Sequence, residues 1–405
     1  MHEADWQDAR RIAYEAGAAL AADRRAVAQV PLAHATGRVL ARDVSSLHTM
    51  PHYASSAMDG WAVSGQGPWR PGEATRPHSA SGAVPDALAP GTARSIVTGE
   101  TVPPGTTAIL RQEDSVLDPE TGLLSATPAP RPGADIRPAG REASAGELLL
   151  AAGTRLVPGQ IAVAAVGGHD TLPVTTPIRV RLVLSGDEVV TSGIPLPGQV
   201  RDTFGPVLPS CIGALGGDVV DTVRIGDDRR ATLDALDSPA ARGMDVLVST
   251  GGTGHSPADH LRPAAGQLGA TTLIGSVAMR PGHPAMLSRL PDGRLLVALP
   301  GNPLAALMAV VTLLEPLLEA ATGQPPSSPV TARSGESIRG AGHSHRLLPA
   351  RWADPAERQV LVPSEHTGSA MMRGLASADV VLVAPPSGAA AGDPVGYLPL
   401  PWYGR

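Results

Sequence analysis

Three short stretches of this chain combine glycine with carboxylates or with the start of a helix. They are Ser185-Gly186-Asp187-Glu188, Thr250-Gly251-Gly252-Thr253-Gly254 running on to Asp259, and Leu299-Pro300-Gly301-Asn302-Pro303. Glycine lets backbone N–H groups close on a ligand, and a helix N-terminus adds partial positive charge, so such loops suit an anion, phosphate above all. Carboxylates beside a phosphate call for a divalent cation, because the bare anions repel. Asp187, Glu188 and Asp259 could supply its oxygen ligands. The residues alone therefore point to a phosphorylated ligand held with Mg²⁺. Each stretch also has a plainer reading. Gly-Gly-Thr-Gly is most often a tight turn, Asp187-Glu188 an ordinary solvated loop, and Asn302-Pro303 a helix cap followed by proline in the first turn. Only their occurrence together favours the ligand.

Each stretch follows an apolar run of strand length, over Arg179–Leu184, Asp245–Ser249 and Leu295–Leu299. A helix is expected around Val207–Leu215, closed by Gly216-Gly217, and a long apolar one from Pro303 to about Ala321. Strands alternating with helices predict a parallel α/β domain, whose ligands bind beyond the carboxyl ends of the strands. Upstream, residues 6–29 read as a helix with Arg10, Arg11, Arg24 and Arg25 available for its outer face. From Val30 to about Leu150, short apolar runs are broken by Pro71-Gly72, Pro103-Pro104-Gly105 and Pro132-Gly133, the pattern of small strands. Short strands are expected again beyond Pro325-Pro326. No internal repeat is evident.

Composition bounds the rest. A chain of 405 residues with 42% apolar content supports two to four compact units, with cores built from aliphatic side chains because aromatics are only 2%. A net charge of −6 offers no basic field for nucleic acid. A single cysteine, Cys211, excludes an internal disulfide and a cysteine-based metal site, and reads as a small buried hydrophobe on a helix. The opening Met1-His2-Glu3-Ala4-Asp5-Trp6 is not a secretory signal, and no apolar run approaches the ~20 residues that cross a bilayer. A cytoplasmic protein without membrane association is expected. The sequence contains no lysine, so all 32 basic residues are arginine.

A series of motif strings in order then carries a resemblance. His52-Tyr53-Ala54-Ser55-Ser56-Ala57-Met58-Asp59-Gly60-Trp61-Ala62 is followed by Val97-Thr98-Gly99, Gln112-Glu113-Asp114 and Asp135-Ile136-Arg137-Pro138. Ser185-Gly186-Asp187-Glu188-Val189, Gly198-Gln199-Val200-Arg201-Asp202-Thr203 and Gly226-Asp227-Asp228 come next. Gly251-Gly252 with Asp259, Pro281-Gly282-His283-Pro284, Pro300-Gly301-Asn302-Pro303 and Gly368-Ser369 complete the order. The chain resembles the molybdopterin molybdenumtransferases along nearly its whole length. That resemblance implies an elongated α/β plus β subunit. Residues 1–50 with 140–178 would form a helical and β linker that dimerises, and 51–139 an inserted β domain. Residues 179–325 would be the molybdopterin-binding α/β domain, and 326–405 a β-barrel-like domain.

The implied reaction takes adenylylated molybdopterin and molybdate as substrates, inserts molybdenum and cleaves the adenylate with Mg²⁺ present. Asp59, Asp187, Glu188, Asp228 and Asp259 would be catalytic, with Asp187, Glu188 and Asp259 holding the metal. Thr98, Arg137, Phe204, Gly251, Gly252, Arg280, His283, Pro300, Gly301 and Asn302 would bind substrate. A homodimer is implied, with Asp59, Thr98 and Arg137 facing the partner's α/β domain. Molybdopterin adenylyltransferase and molybdoenzymes would be transient partners. The chain departs from the family pattern at Ala54 and Ser55, at Phe204 in place of an asparagine, at Thr253-Gly254-His255-Ser256, and at Arg280 and His283 in place of two lysines. The lysine-free composition accounts for Arg280, which keeps a permanent charge. Alternatives left open are a divergent paralogue, a gephyrin-like scaffold that binds pterin without efficient turnover, and an adenylyltransferase-like activity, since Gly-Gly-Thr-Gly resembles that related family.

Overall fold

The computed structural model describes residues 3–24, 26–72, 85–254 and 259–402. Arg25, His255 and Ser256 lie outside them, as does the side chain of Arg24. Chain contacts divide the protein into two units, one of residues 1–29, 37–41 and 173–405, the other of 30–36 and 42–172.

The first unit is organised by a six-stranded sheet. Its strands are β1 (Ile178–Ser185), β2 (Gly217–Ile225), β3 (Val246–Thr250), β4 (Thr271–Ile274), β5 (Met286–Arg289) and β6 (Leu295–Leu299), in the order β2-β1-β3-β6-β5-β4. The first four in that order run parallel, while β5 and β4 are antiparallel additions at one edge. Every residue of β3 and β6 is buried, as for central strands covered on both faces. The three expected strands are present. Strands β2, β4 and β5 were not singled out from the sequence. In β2 burial alternates residue by residue with Asp218, Asp221 and Arg224 interrupting the apolar positions, the pattern of an edge strand half in water.

Behind the sheet runs the helix Pro303–Thr322, 20 residues long and buried from Leu304 onward. Its length and composition would suffice to cross a bilayer, which corrects the expectation that no apolar run approaches that length. Its apolar surface is satisfied by the protein core, including the helix Trp6–Arg24 packed against it. Midway, Val310–Leu314 widens to a π turn in which Glu315 N–H reaches back to Val310 O. Pro316 follows and has no N–H to offer, so the Val311 carbonyl loses its usual donor. The guanidinium of Arg10 fills that place, donating to Val311 O, to Ser327 O at 2.7 Å and to Glu315 at 3.3 Å. Arg10 is therefore buried rather than on the outer face, at 6% exposure. Arg11 does face outward, between Asp8 and Glu15. The helix stops at Arg24, short of the expected 29, and Val27–Pro31 is a strand.

The C-terminal strands of this unit close on themselves. His345–Trp352 pairs with Val360–Pro363, which pairs with Val330–Ser334, then Pro394–Pro399, then Val380–Ala384, which returns to His345–Trp352. That is a five-stranded barrel. Met279–Arg280 adds in parallel to its His345–Arg346 end, with Arg280 opposite Arg346.

The second unit carries a four-stranded sheet of Arg70–Pro71, Thr92–Ile96, Gly60–Val63 and Ala108–Arg111, in that order. Its small core includes Val63, Trp69, Leu110 and Leu124. A nine-residue helix, Pro158–Val166, follows.

Candidate active site at the carboxyl ends of the sheet

Chain order reverses between β1 and β3, since β2 lies on one side of β1 and all later strands on the other. A crevice outside the carboxyl ends of the strands at such a point is the ligand position of open α/β sheets. A cavity of about 630 Å³ opens there, within the range of a small-molecule site. Its walls come from all three expected loops: Ser185, Gly186 and Glu188 after β1, Gly251–Gly254 and Asp259 after β3, and Pro300–Pro303 after β6.

Short bonds hold these loops together. Ser185 Oγ donates to Thr250 O at 2.7 Å, and Gly251 N–H donates to Leu299 O at 3.0 Å. Gly251 has φ +78°, and a Cβ on it would stand 2.9 Å from Ser185 Oγ, so both its conformation and its crowding require glycine. Gly254 is required for another reason: a Cβ there would meet Asp259 Oδ2 at 2.7 Å. The departure at Gly254 thus makes room for the Asp259 carboxylate. Asn302 occupies the N-cap position of the long helix, but its side chain makes no capping bond and lines the cavity instead.

Two of the expected carboxylates lie elsewhere. Asp228 caps the helix Arg229–Asp237, accepting from Ala231 N–H at 2.7 Å, and is not among the cavity-lining residues. Its neighbour Asp227 takes the place in the wall. The N-cap spacing ahead of a helix was the signal that could have separated the two. Asp187 also stays out of the lining; its carboxylate lies against Gly226, where a Cβ would be 2.5 Å from Oδ1. The carboxylates that line the cavity are Glu188, Asp202, Asp227 and Asp259. Asp202 is already engaged, accepting from Phe204 N–H at 3.0 Å and Gly205 N–H at 3.1 Å and pairing with Arg224.

Phe204 lines the same cavity while its remaining surface packs on the main core. An aromatic ring lining a cavity of this size can pack on a flat ligand ring. Phe204→Ala is expected to weaken nucleotide or pterin binding by roughly 1 kcal/mol. Calorimetric titration checks this, and unchanged affinity with a lower melting temperature would assign Phe204 to packing alone.

A second cavity, about 320 Å³, shares Pro284, Pro300 and Asn302 with the first. Arg280, His283, Arg346, Thr367 and Ser369 line it, giving two guanidinium groups and two hydroxyls. Arg346 was missed in the sequence, because its pairing with Arg280 joins residues 66 positions apart. His283 is exposed, with Nε2 3.0 Å from Glu3 Oε1; His343 Nε2 approaches the same oxygen at 3.3 Å.

In the second unit, Asp59 Oδ1 accepts from Thr98 N–H at 2.7 Å and Thr98 Oγ1 at 2.9 Å. The backbone bond first, and the hydroxyl second, hold this carboxyl below the usual carboxylate range. It is thus an anion and acceptor near neutrality, not a proton donor. Arg137 is exposed on a strand paired with Ser55–Ser56.

Sheet, glycine loop, oxygen-lined cavity and adjoining arginine cavity define an α/β protein with a small-molecule cavity at the switch point of its parallel sheet. Three sequence-family models match in succession: the MoeA N-terminal region (domains I and II) over residues 5–168, a probable molybdopterin binding domain over 181–320, and the MoeA C-terminal region (domain IV) over 331–400. The chain is 32% identical to the molybdopterin molybdenumtransferase of Synechococcus elongatus over 363 residues, 84% of this chain and 89% of that protein. It is 32% identical to molybdopterin molybdenumtransferase 2 of Mycobacterium tuberculosis over 342 residues, 79% and 82% of the two chains. A crystal structure of a molybdopterin biosynthesis MoeA protein from Pyrococcus horikoshii shares the fold over 100% of both chains, with a TM-score of 0.76 at 22% identity. The chain belongs to the molybdopterin molybdenumtransferase family.

Proposed function

We propose that this enzyme inserts molybdenum into adenylylated molybdopterin and releases AMP, acting as a homodimer with Mg²⁺ in the cytoplasm. One observation carries the reading: the nucleotide-sized cavity at the switch point opens beside a smaller one bearing Arg280 and Arg346. The first suits the adenylate and pterin, with the glycine loop from Gly252 to Gly254 and the helix start at Asn302 lining it for phosphate. The second suits an oxyanion such as molybdate, since arginine forks match oxyanion geometry and stay charged. No observation favours a scaffold or an adenylyltransferase reading.

Mg²⁺ fits the donor set, which is oxygen only. Among the described residues, no three His, Cys, Asp or Glu side chains gather as a ready metal centre. One or two of Glu188, Asp227 and Asp259 would hold the ion together with phosphate oxygens and water, the usual manner for Mg²⁺. Bound there, it would neutralise charge on the phosphate being cleaved. The protein orients that phosphate over the glycine loop and keeps the oxyanion beside it. Reconstitution of a cofactor-free molybdoenzyme in a mixture of this protein, adenylylated molybdopterin, Mg²⁺ and molybdate tests the reading; no reconstituted activity would overturn it.

Assembly as a dimer rests on the family resemblance and on the helix Pro158–Val166, whose sequence is almost wholly apolar yet of which only Ala164 is buried. Val157 and Val166 stand exposed along it, and Leu47, also exposed, donates its N–H to Gly167 O at the helix end. Such a face commonly marks an association surface. Val166→Glu is expected to yield monomers by light scattering at micromolar concentration. Mixed dimers of Asp59→Ala and Asp259→Ala chains are expected to regain one working cleft. A fully active monomeric parent would contradict both.

A further inference from the structure

Arg262 stands in the first turn of the helix Leu261–Gln267, three residues after Asp259, with its side chain half-buried. Its guanidinium is spread over three carbonyls from three separate loops. Nε donates to Thr253 O at 2.9 Å, and Nη2 to Gly275 O at 2.7 Å and Pro284 O at 3.1 Å. Nη1 rests 3.5 Å from Met286 Sδ. Burial lowers the pKa of this cation, and the nearby Asp259 charge opposes that shift. A guanidinium is charged at any working pH, so the cation is present throughout.

The three carbonyls are not equivalent bystanders. Thr253 and Asp259 line the larger cavity, and Pro284 lines both cavities. Pro284 also follows the Arg280-Pro281-Gly282-His283 corner, so its position sets where the arginine cavity begins. A single planar fork thus spans the glycine loop and the corner that divides the two cavities. No other residue type could do the same: lysine offers one ammonium point, and glutamine one amide too short to reach three loops.

We infer that Arg262 is the positioning residue that fixes the spacing between the adenylate cavity and the oxyanion cavity. This deepens the proposed function and rests on it, for two reactants must be held at a fixed separation. Misplacement by about 1 Å costs on the order of 100-fold in rate while leaving each ligand its own contacts. Loss of Arg262 therefore acts on the chemical step more than on binding.

The test compares Arg262→Lys and Arg262→Met with the parent in two measurements. Amide hydrogen exchange, read without substrate, is expected to speed up about tenfold or more in both residues 251–254 and residues 275–283, with strands β1 and β3 unchanged. In steady-state AMP release, kcat is expected to fall about tenfold or more with KM for adenylylated molybdopterin within about threefold. Parental exchange in either loop would overturn the inference, as would a loss confined to KM. So would full rescue by Arg262→Lys, which keeps the charge without the fork. If Arg262→Met fails to fold, Arg262→Lys carries the comparison. A parent that releases no AMP defeats the proposed function, while the exchange result stands or falls separately.

Discussion

Replacing Asp259 by asparagine is expected to lower AMP release on the order of 100-fold or more, with the melting temperature close to that of the parent. The side chain lies in the cavity wall and belongs to none of the apolar core clusters. Its carboxylate rests against Gly254, so the space was kept clear for it. Asparagine has nearly the same shape but loses the charge and turns one acceptor oxygen into an NH₂ donor, so a fall in rate reports the lost carboxylate rather than a collapsed loop. A factor of 100 corresponds to about 2.7 kcal/mol of lost transition-state stabilisation. Raising Mg²⁺ is expected to recover part of the loss, since a weakened cation site fills at higher concentration. Parental rates of AMP release by the variant would remove Asp259 from the site.

Glu315→Ala is expected to cost about 3–5 kcal/mol of stability, because it leaves the Arg10 guanidinium buried without its counter-charge. Glu315 is fully buried and Arg10 nearly so. The cost arises in the core far along the helix from Asn302, so chemical denaturation should register it while any protein that remains folded keeps its KM. Removing both charges, as Arg10→Met with Glu315→Leu, is expected to recover much of the loss but not all. The Val311 carbonyl, left without a helical donor by the π turn and Pro316, would then lose Arg10 as well. One unsatisfied buried carbonyl costs about 1–3 kcal/mol. A Glu315→Ala variant as stable as the parent would show that water reaches this pair.

How far the sequence reveals such features depends on how local they are. The strands ending at Ser185, Thr250 and Leu299 were legible because each is an unbroken apolar run followed by a glycine-bearing loop, and both signals are short-range. Glu188, the Gly251–Gly254 loop, Asp259 and Asn302 followed from them. Strand β2 escaped because its alternation of Asp218, Asp221 and Arg224 with valines reads as polar until a neighbour buries one face. Arg10 was assigned to solvent because nothing near it in sequence reveals a partner at Glu315. Arg346 and Arg262 have the same character. The first matters because of its place opposite Arg280, the second because of carbonyls in three loops. Asp227 and Asp228 show the converse: adjacent identical residues, of which one is claimed by a helix cap and the other left to the cavity.

Under the proposed function, molybdate dependence would join the two cavities in one reaction. The most direct measurement is AMP released per protein in the first turnover of adenylylated molybdopterin with Mg²⁺, with and without molybdate. The account predicts release coupled to molybdate, with Arg280→Ala and Arg346→Ala abolishing the coupling while leaving nucleotide binding in place. Release that is indifferent to molybdate, or bound nucleotide that is never cleaved, would contradict it.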